Sequence, residues 1–148
     1  MLLATAAAVC SLLTSAEIAR VQGEAPKEQK PSEHPGETLH SEQCFYLLPT
    51  FAKSISLEVT RGAVKAQWKK TFHEKHEREE EEKGEKQPGP ARVRGVGEEA
   101  FWVGDARAGG LYVLKKQAML RLSIGGAETL KEKQKKLKAL ARSALSRL

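Results

Sequence analysis

Apolar and polar residues alternate over residues 54–60, with Ile55, Leu57 and Val59 on one side and Ser54, Ser56, Glu58 and Thr60 on the other. A period of two is that of a strand with one buried face. The pattern returns over 118–124, where Leu120, Leu122 and Ile124 alternate with Met119, Arg121 and Ser123. Residues 43–48, 100–103 and 111–115 are short apolar runs of strand length, the last two bounded by glycine or Lys-Gln turns, and they bring the predicted strands to five. The link between 43–48 and 54–60, which contains Pro49 and Thr50, is too short for a crossover, so that pair is antiparallel.

Helical periods fill three other places. Thr14 and Glu17 have capping-box spacing ahead of Ile18 and Val21, and Gly23 stands where a left-handed stop belongs, so a helix of two turns starts near Thr14. Val64, Trp68 and Phe72 fall at i, i+4 and i+8 after Gly62, laying one stripe against the sheet. From Thr129 onward Leu130, Leu137, Ala141, Ala144, Leu145 and Leu148 recur at helical spacing, which predicts a closing helix starting near Ala127 that covers the sheet's buried face. The expected fold is α+β: an antiparallel sheet of about five strands with helices packed against it.

Two stretches carry no such pattern. Residues 24–41 hold three prolines, four glutamates and two histidines, with Ala25 and Leu39 the only apolar side chains, and the insert of about 24–42 reads as a long surface loop. Residues 84–94, rich in Pro and Gly, read as a linker into the Gly95-Val96-Gly97 entry, and the run from His73 to Lys83 before it is charged on every side. One domain over residues 10–148 with these two inserts accounts for the chain. Residues 1–9, small and apolar and ending near Ala6-Ala7-Ala8, read as the remnant of a secretory signal peptide or a disordered N-terminus. Export to a periplasm or the extracellular space is therefore expected, or a cytoplasmic location if Met1 is the true start.

Composition changes this picture mainly through charge. The 148 residues carry a net charge of +6, distributed as −3 over residues 1–60, +1 over 61–100 and +8 over 101–148. Positive charge is thus a property of the closing helix and its neighbours. Lys131, Lys133, Lys135, Lys136 and Lys138 form a candidate anion-binding face, although a solvated amphipathic helix is the plainer reading. No run reaches the eighteen apolar residues of a membrane span. The two cysteines, Cys10 and Cys44, favour a disulfide in an exported chain, with a pair of buried thiols as the alternative in a cytosolic one.

No catalytic constellation emerges, and no metal or cofactor set. His73 and His76, with Glu77 nearby, have ligand-like spacing but lack the zinc-protease order. Asp105, the only Asp, belongs to a Gly-rich hairpin loop as a turn residue. Trp102 and Tyr112 could stack a ring, or form a cross-strand or core pair.

The run Cys10-x-Leu12-Leu13-Thr14-x-x-Glu17-Ile18 through Gly23, then Gln43-Cys44-Phe45, residues 95–102 and residues 111–115, resembles small exported bacterial proteins of unknown function with a PsbP-like fold. The resemblance implies an antiparallel sheet with helices against it and carries no activity. One departure is the hairpin at Lys115-Lys116-Gln117, where those proteins usually have glycine, so that a primed turn there is strained. The function expected is a non-enzymatic exported domain, a binding or accessory module for a protein or small ligand. The alternative is a nucleic-acid or anionic-surface binder acting through the lysine face.

Overall fold

The computed structural model describes residues 6–74 and 90–148. The expectations for His76, Glu77 and the charged run after Glu74, for most of the 84–94 linker and for residues 1–5 lie outside the described residues. A 3₁₀ helix, Ala6–Leu12, leads into α1, Ser15–Gln22; β1 is Glu28–His34, β2 Leu39–Leu47 and β3 Ile55–Gly62. Helix α2, Val64–Lys69, runs into a π-helical turn, Lys70–Glu74. Strands β4, Ala91–Arg92, β5, Glu99–Val103, β6, Gly110–Lys115, and β7, Ala118–Ile124, precede the closing helix α3, Leu130–Leu145.

The strands form a single sheet in the order β1-β2-β3-β7-β6-β5-β4, with every neighbouring pair antiparallel. The five expected strands are present, and β1 and β4 join them at the two edges. Strand β1 corrects the loop reading of residues 24–42. All seven of its residues are exposed, so it buries no side chain that could print a period on the sequence, and its backbone ladder to β2 holds it instead. Strand β2 correspondingly begins at Leu39 rather than Gln43.

Helices pack on both faces of the sheet. On one, the 3₁₀ helix, α1 and α3 enclose a core of Leu13, Ile18, Cys44, Tyr46, Leu57, Val113, Leu122 and Leu137. On the other, Val64, Trp68 and Phe72 pack on Phe101 and Leu114, with the Phe72 and Phe101 rings stacked at 4.7 Å. The i, i+4, i+8 stripe thus reaches the sheet as expected. Glu99 fastens this layer: its carboxylate accepts from Trp68 Nε1 at 2.6 Å and Arg92 at 2.9 Å, with His73 Nε2 also at 2.9 Å. Burial alone would raise the Glu99 pKa, but the hydrogen bonds from His73 and Trp68, with the attraction of His73 and Arg92, together hold the carboxyl below its ordinary value.

Local signals explain the helix ends. Thr14 Oγ1 accepts from the Glu17 N–H while the Glu17 carboxylate accepts from the Thr14 N–H, and Gly23 closes the helix at φ 85°. Thr129 and Glu132 repeat the box at the start of α3. That helix ends at Leu145, so Leu148, expected in the core, is instead 40% exposed beyond its last turn. Gly97, at φ 62°, needs glycine twice over, because a Cβ there would lie 2.4 Å from Val113 Cγ1. Trp102 and Tyr112 do not pair: Phe101 is opposite Tyr112, and Trp102 opposite Leu111, which puts the two rings on opposite faces of the sheet.

The turn between β6 and β7 carries the strain its sequence announces. Lys116 has φ 55°, the one positive φ outside glycine among the described residues, and its N–H donates to Glu98 Oε2 at 2.7 Å. Lys116→Gly removes the Cβ penalty of the left-handed region while loosening the unfolded chain, for an expected net gain of about 0.5–1 kcal/mol. A urea titration checks this. A variant no more stable than the parent would show that the Glu98 contact already absorbs the strain.

Candidate functional site

The backbone register of three strands gathers a polar cluster on the helix-covered face, at the hairpin end of the sheet. Glu33 of β1 is opposite Glu42 of β2, and His40, two residues before Glu42, is opposite Arg61 of β3. Alternation therefore turns all four side chains to one side. His40 Nε2 lies 3.2 Å from Glu33 Oε2 and 3.7 Å from Glu42 Oε2, while Arg61 NH1 lies 3.8 Å from Glu42 Oε1. Glu42 is the buried member, with its side chain 8% exposed, whereas Arg61 is about half exposed. Neither the His40 nor the Arg61 nitrogen is within hydrogen-bond reach of Glu42.

This cluster opens into a cleft of about 500 Å³ lined by Ala8, Val9, Ser11, Leu12, His40, Glu42, Arg61 and Arg147. The 3₁₀ helix forms the apolar wall, and three attachments keep it in place. Cys10 is bonded to Cys44 in the middle of β2, with the Cα atoms 5.2 Å apart. Tyr46 donates its hydroxyl to the Cys10 carbonyl at 2.9 Å, and burial pushes that phenol's pKa up. Arg147 donates to the Leu12 carbonyl at 2.9 Å and clasps both oxygens of Glu17 at 2.9 and 2.8 Å. The Arg147 guanidinium holds the Glu17 pKa down at about 2. With its donors so engaged, Arg147 shapes the cleft, leaving His40, Glu42 and Arg61 as the groups able to meet a ligand.

The lysine face predicted on the closing helix is divided. Lys133 is 1% exposed and donates to the Ala106 carbonyl of the β5–β6 loop. Lys136 is bonded to Glu128 and, at 2.9 Å, to Gln22 Oε1. Two of the five lysines therefore pin α3 to its neighbours rather than present charge to solvent. Lys131 and Lys135 are exposed and Lys138 partly so, and together with exposed Arg142 they make a narrower stripe at i, i+4, i+7 and i+11.

Of the other candidates, His73 is held by Glu99 as described above. Asp105 caps its own turn, with Oδ1 accepting from the Arg107 and Ala108 N–H groups at 2.9 Å each, and these backbone bonds lower its pKa. The part of the sheet that α2 leaves bare is polar and internally bonded: Ser41 meets Thr60 at 2.9 Å, Gln43 donates to Ser56 at 3.3 Å, and Arg121 donates to the Tyr112 hydroxyl at 2.9 Å. Phe51, 70% exposed, lies 6.2 Å from Phe45 at one border of that surface.

Glu33, His40 and Glu42 were absent from the sequence-derived candidates because they fall in the stretch of about 24–42 read as a loop. The available signal was His40-Ser41-Glu42, a polar pair at the i, i+2 spacing of one strand face. No known protein family, curated protein or solved structure matches the chain. Among the described residues no helix is long and apolar enough to cross a membrane.

Proposed function

We propose that this chain is a non-enzymatic binding or accessory domain of PsbP-like architecture, acting in an oxidising, exported setting and taking a small ligand in the cleft between the 3₁₀ helix and the β1–β2–β3 end of the sheet. The observation that carries the reading is the cleft itself. A concave surface with an apolar wall and a few convergent polar groups is the usual form of a small-ligand site. Here Val9 and Leu12 supply the wall, and the His40 imidazole, the Glu42 carboxylate and the Arg61 guanidinium supply the polar groups. A ligand with an apolar body and a charged head fits that division. The Cys10–Cys44 bond supports the compartment, since structural disulfides persist where the milieu is oxidising. The same bond occupies both cysteines, and a binding role needs no nucleophile.

Amide chemical shifts of the ¹⁵N-labelled chain, followed while short-chain carboxylates, amines and amino acids are added, test the proposal. Saturable shifts confined to Val9, Ser11, Leu12, His40 and Arg61 are the expected result. Shifts centred on Gln43, Ser56 and Arg121 would move the site to the open face of the sheet and overturn the cleft reading. The stripe of Lys131, Lys135, Lys138 and Arg142 favours the second reading, an anionic partner on α3, and a short oligonucleotide belongs in the same series. If that stripe binds phosphates, its shifts must fade steeply as salt rises.

A further inference from the structure

We propose that Glu33, His40 and Glu42 form a binding site for a divalent transition-metal ion, with zinc(II) the best match, on the polar wall of the cleft. The inference rests on the cleft reading for what the ion would do there, but its geometry stands by itself. One carboxylate oxygen from each glutamate and one imidazole nitrogen of His40 all lie within 4.8 Å of one another. They are brought there by the strand ladder, Glu33 against Glu42 across β1 and β2, with His40 on the same face of β2. Two of the three donors thus share a strand and the third is its hydrogen-bonded neighbour, a rigid platform.

Two of the three donor spacings are close to those of tetrahedral ligation. Donors about 2.0–2.2 Å from a tetrahedral ion lie about 3.3–3.6 Å from one another. His40 Nε2 stands 3.2 Å from Glu33 Oε2 and 3.7 Å from Glu42 Oε2, on either side of that edge length. The third edge, between Glu33 and Glu42, is within 4.8 Å, so side-chain torsions must close it by up to about 1.2 Å to complete the fit.

Glu42 supplies an independent reason. Its side chain is more than nine-tenths buried, it lines the cleft, and no hydrogen bond reaches it from the described residues, the His40 and Arg61 nitrogens being at 3.7 and 3.8 Å. Among the described residues no fully buried side-chain oxygen lacks a partner, so the Glu42 oxygens are reached from the cleft, where an ion can meet a charge that the protein itself leaves without a hydrogen bond. Its two oxygens are divided: Oε1 faces Arg61 and Oε2 faces His40 and the Glu33 side. An ion held by Oε2 would neutralise this charge from the cleft side, while Arg61, 3.8 Å from Oε1, attracts the other oxygen. The Arg61 guanidinium is about half in water, which weakens its repulsion of a second cation.

The donor set selects the ion class. One imidazole and two carboxylates are a nitrogen and oxygen set that suits zinc and its first-row neighbours, whereas calcium and magnesium take oxygen alone. Two carboxylates also balance a double positive charge. Three protein ligands leave a fourth position for an exchangeable group, the arrangement of zinc sites that exchange a ligand. The group completing the sphere is then water or the anionic head of the cleft ligand.

The test is calorimetric titration of Zn²⁺ into the untagged full chain after chelator treatment, with Ca²⁺ and Mg²⁺ as parallel arms. One equivalent of Zn²⁺ bound in the micromolar range or tighter, with neither Ca²⁺ nor Mg²⁺ competing, is expected. His40→Ala and Glu42→Gln should each weaken it by at least about tenfold, the loss that even groups behind metal ligands produce. Glu33→Gln, at an exposed position, gives the same readout in a variant whose folding is not at stake, and thermal melts of the metal-free variants identify any that fail to fold. No binding at millimolar Zn²⁺, binding undiminished in His40→Ala, or equal affinity for Ca²⁺ would each overturn the site. Loss of the metal site with ligand shifts still confined to the cleft would leave the binding-domain reading standing, whereas metal binding without any cleft ligand would remove that reading and keep this one.

Discussion

Replacing both bridge cysteines, Cys10→Ala with Cys44→Ala, should cost about 4 kcal/mol, the loop-closure entropy of a bridge at this separation. The two residues are 34 apart in sequence, and the intervening β1 is exposed along its whole length, so β1 adds little apolar burial to help hold the N-terminal segment against the sheet. The bridge joins the wall of the cleft to the centre of β2, where Cys44 is fully buried. For a domain whose total stability falls in the usual range of about 5–15 kcal/mol, that is a large share. Urea unfolding of the double variant beside the parent gives the difference, and thiol counting on parent protein made in an oxidising compartment should find no free thiol. A loss below about 1 kcal/mol would mean that Tyr46, Arg147 and the packing of Leu13 hold this segment without the bridge.

Leu137→Ala should cost about 2–5 kcal/mol, the range for deleting a fully enclosed leucine side chain. Leu137 is at the centre of α3 with no exposed surface, between the sheet and α1. The cavity left behind would be walled by strands on one side and by Ala141 and Leu140 on its own helix, neighbours that cannot collapse into it without moving backbone. Leu148→Ala, at a position 40% exposed, provides the contrast and should change stability by no more than about 0.5 kcal/mol. Denaturant midpoints with an unchanged slope measure both. A Leu137→Ala loss no larger than that of Leu148→Ala would show that α3 does not close the core.

Where a segment buries one face, its sequence declared it. Strands β3 and β7 show their alternation because Ile55, Leu57, Val59, Leu120 and Leu122 must all enter the same core. Helix α1 shows both its ends, because a capping box and a left-handed glycine are local hydrogen-bond devices that need no tertiary partner. The Lys116 strain was readable for the same reason, since backbone sterics at a two-residue turn depend on that residue alone. The expected cysteine bridge is present, between segments whose meeting in space no local rule could supply.

Tertiary structure decided what depends on which polar groups meet. Strand β1 has no buried side chain, so nothing in its composition distinguishes it from a loop, and only its ladder to β2 makes it a strand. That ladder in turn creates the Glu33, His40 and Glu42 cluster from residues seven and nine positions apart. Lys133 and Lys136 look like their neighbours along the helix, yet the 3.6-residue period turns one into the core edge toward Ala106 and the other toward Glu128 and Gln22. Apolar burial repeats along a segment and so leaves a period in the chain, whereas a polar site is a single crossing of segments, set by register and by the angle at which a helix meets the sheet.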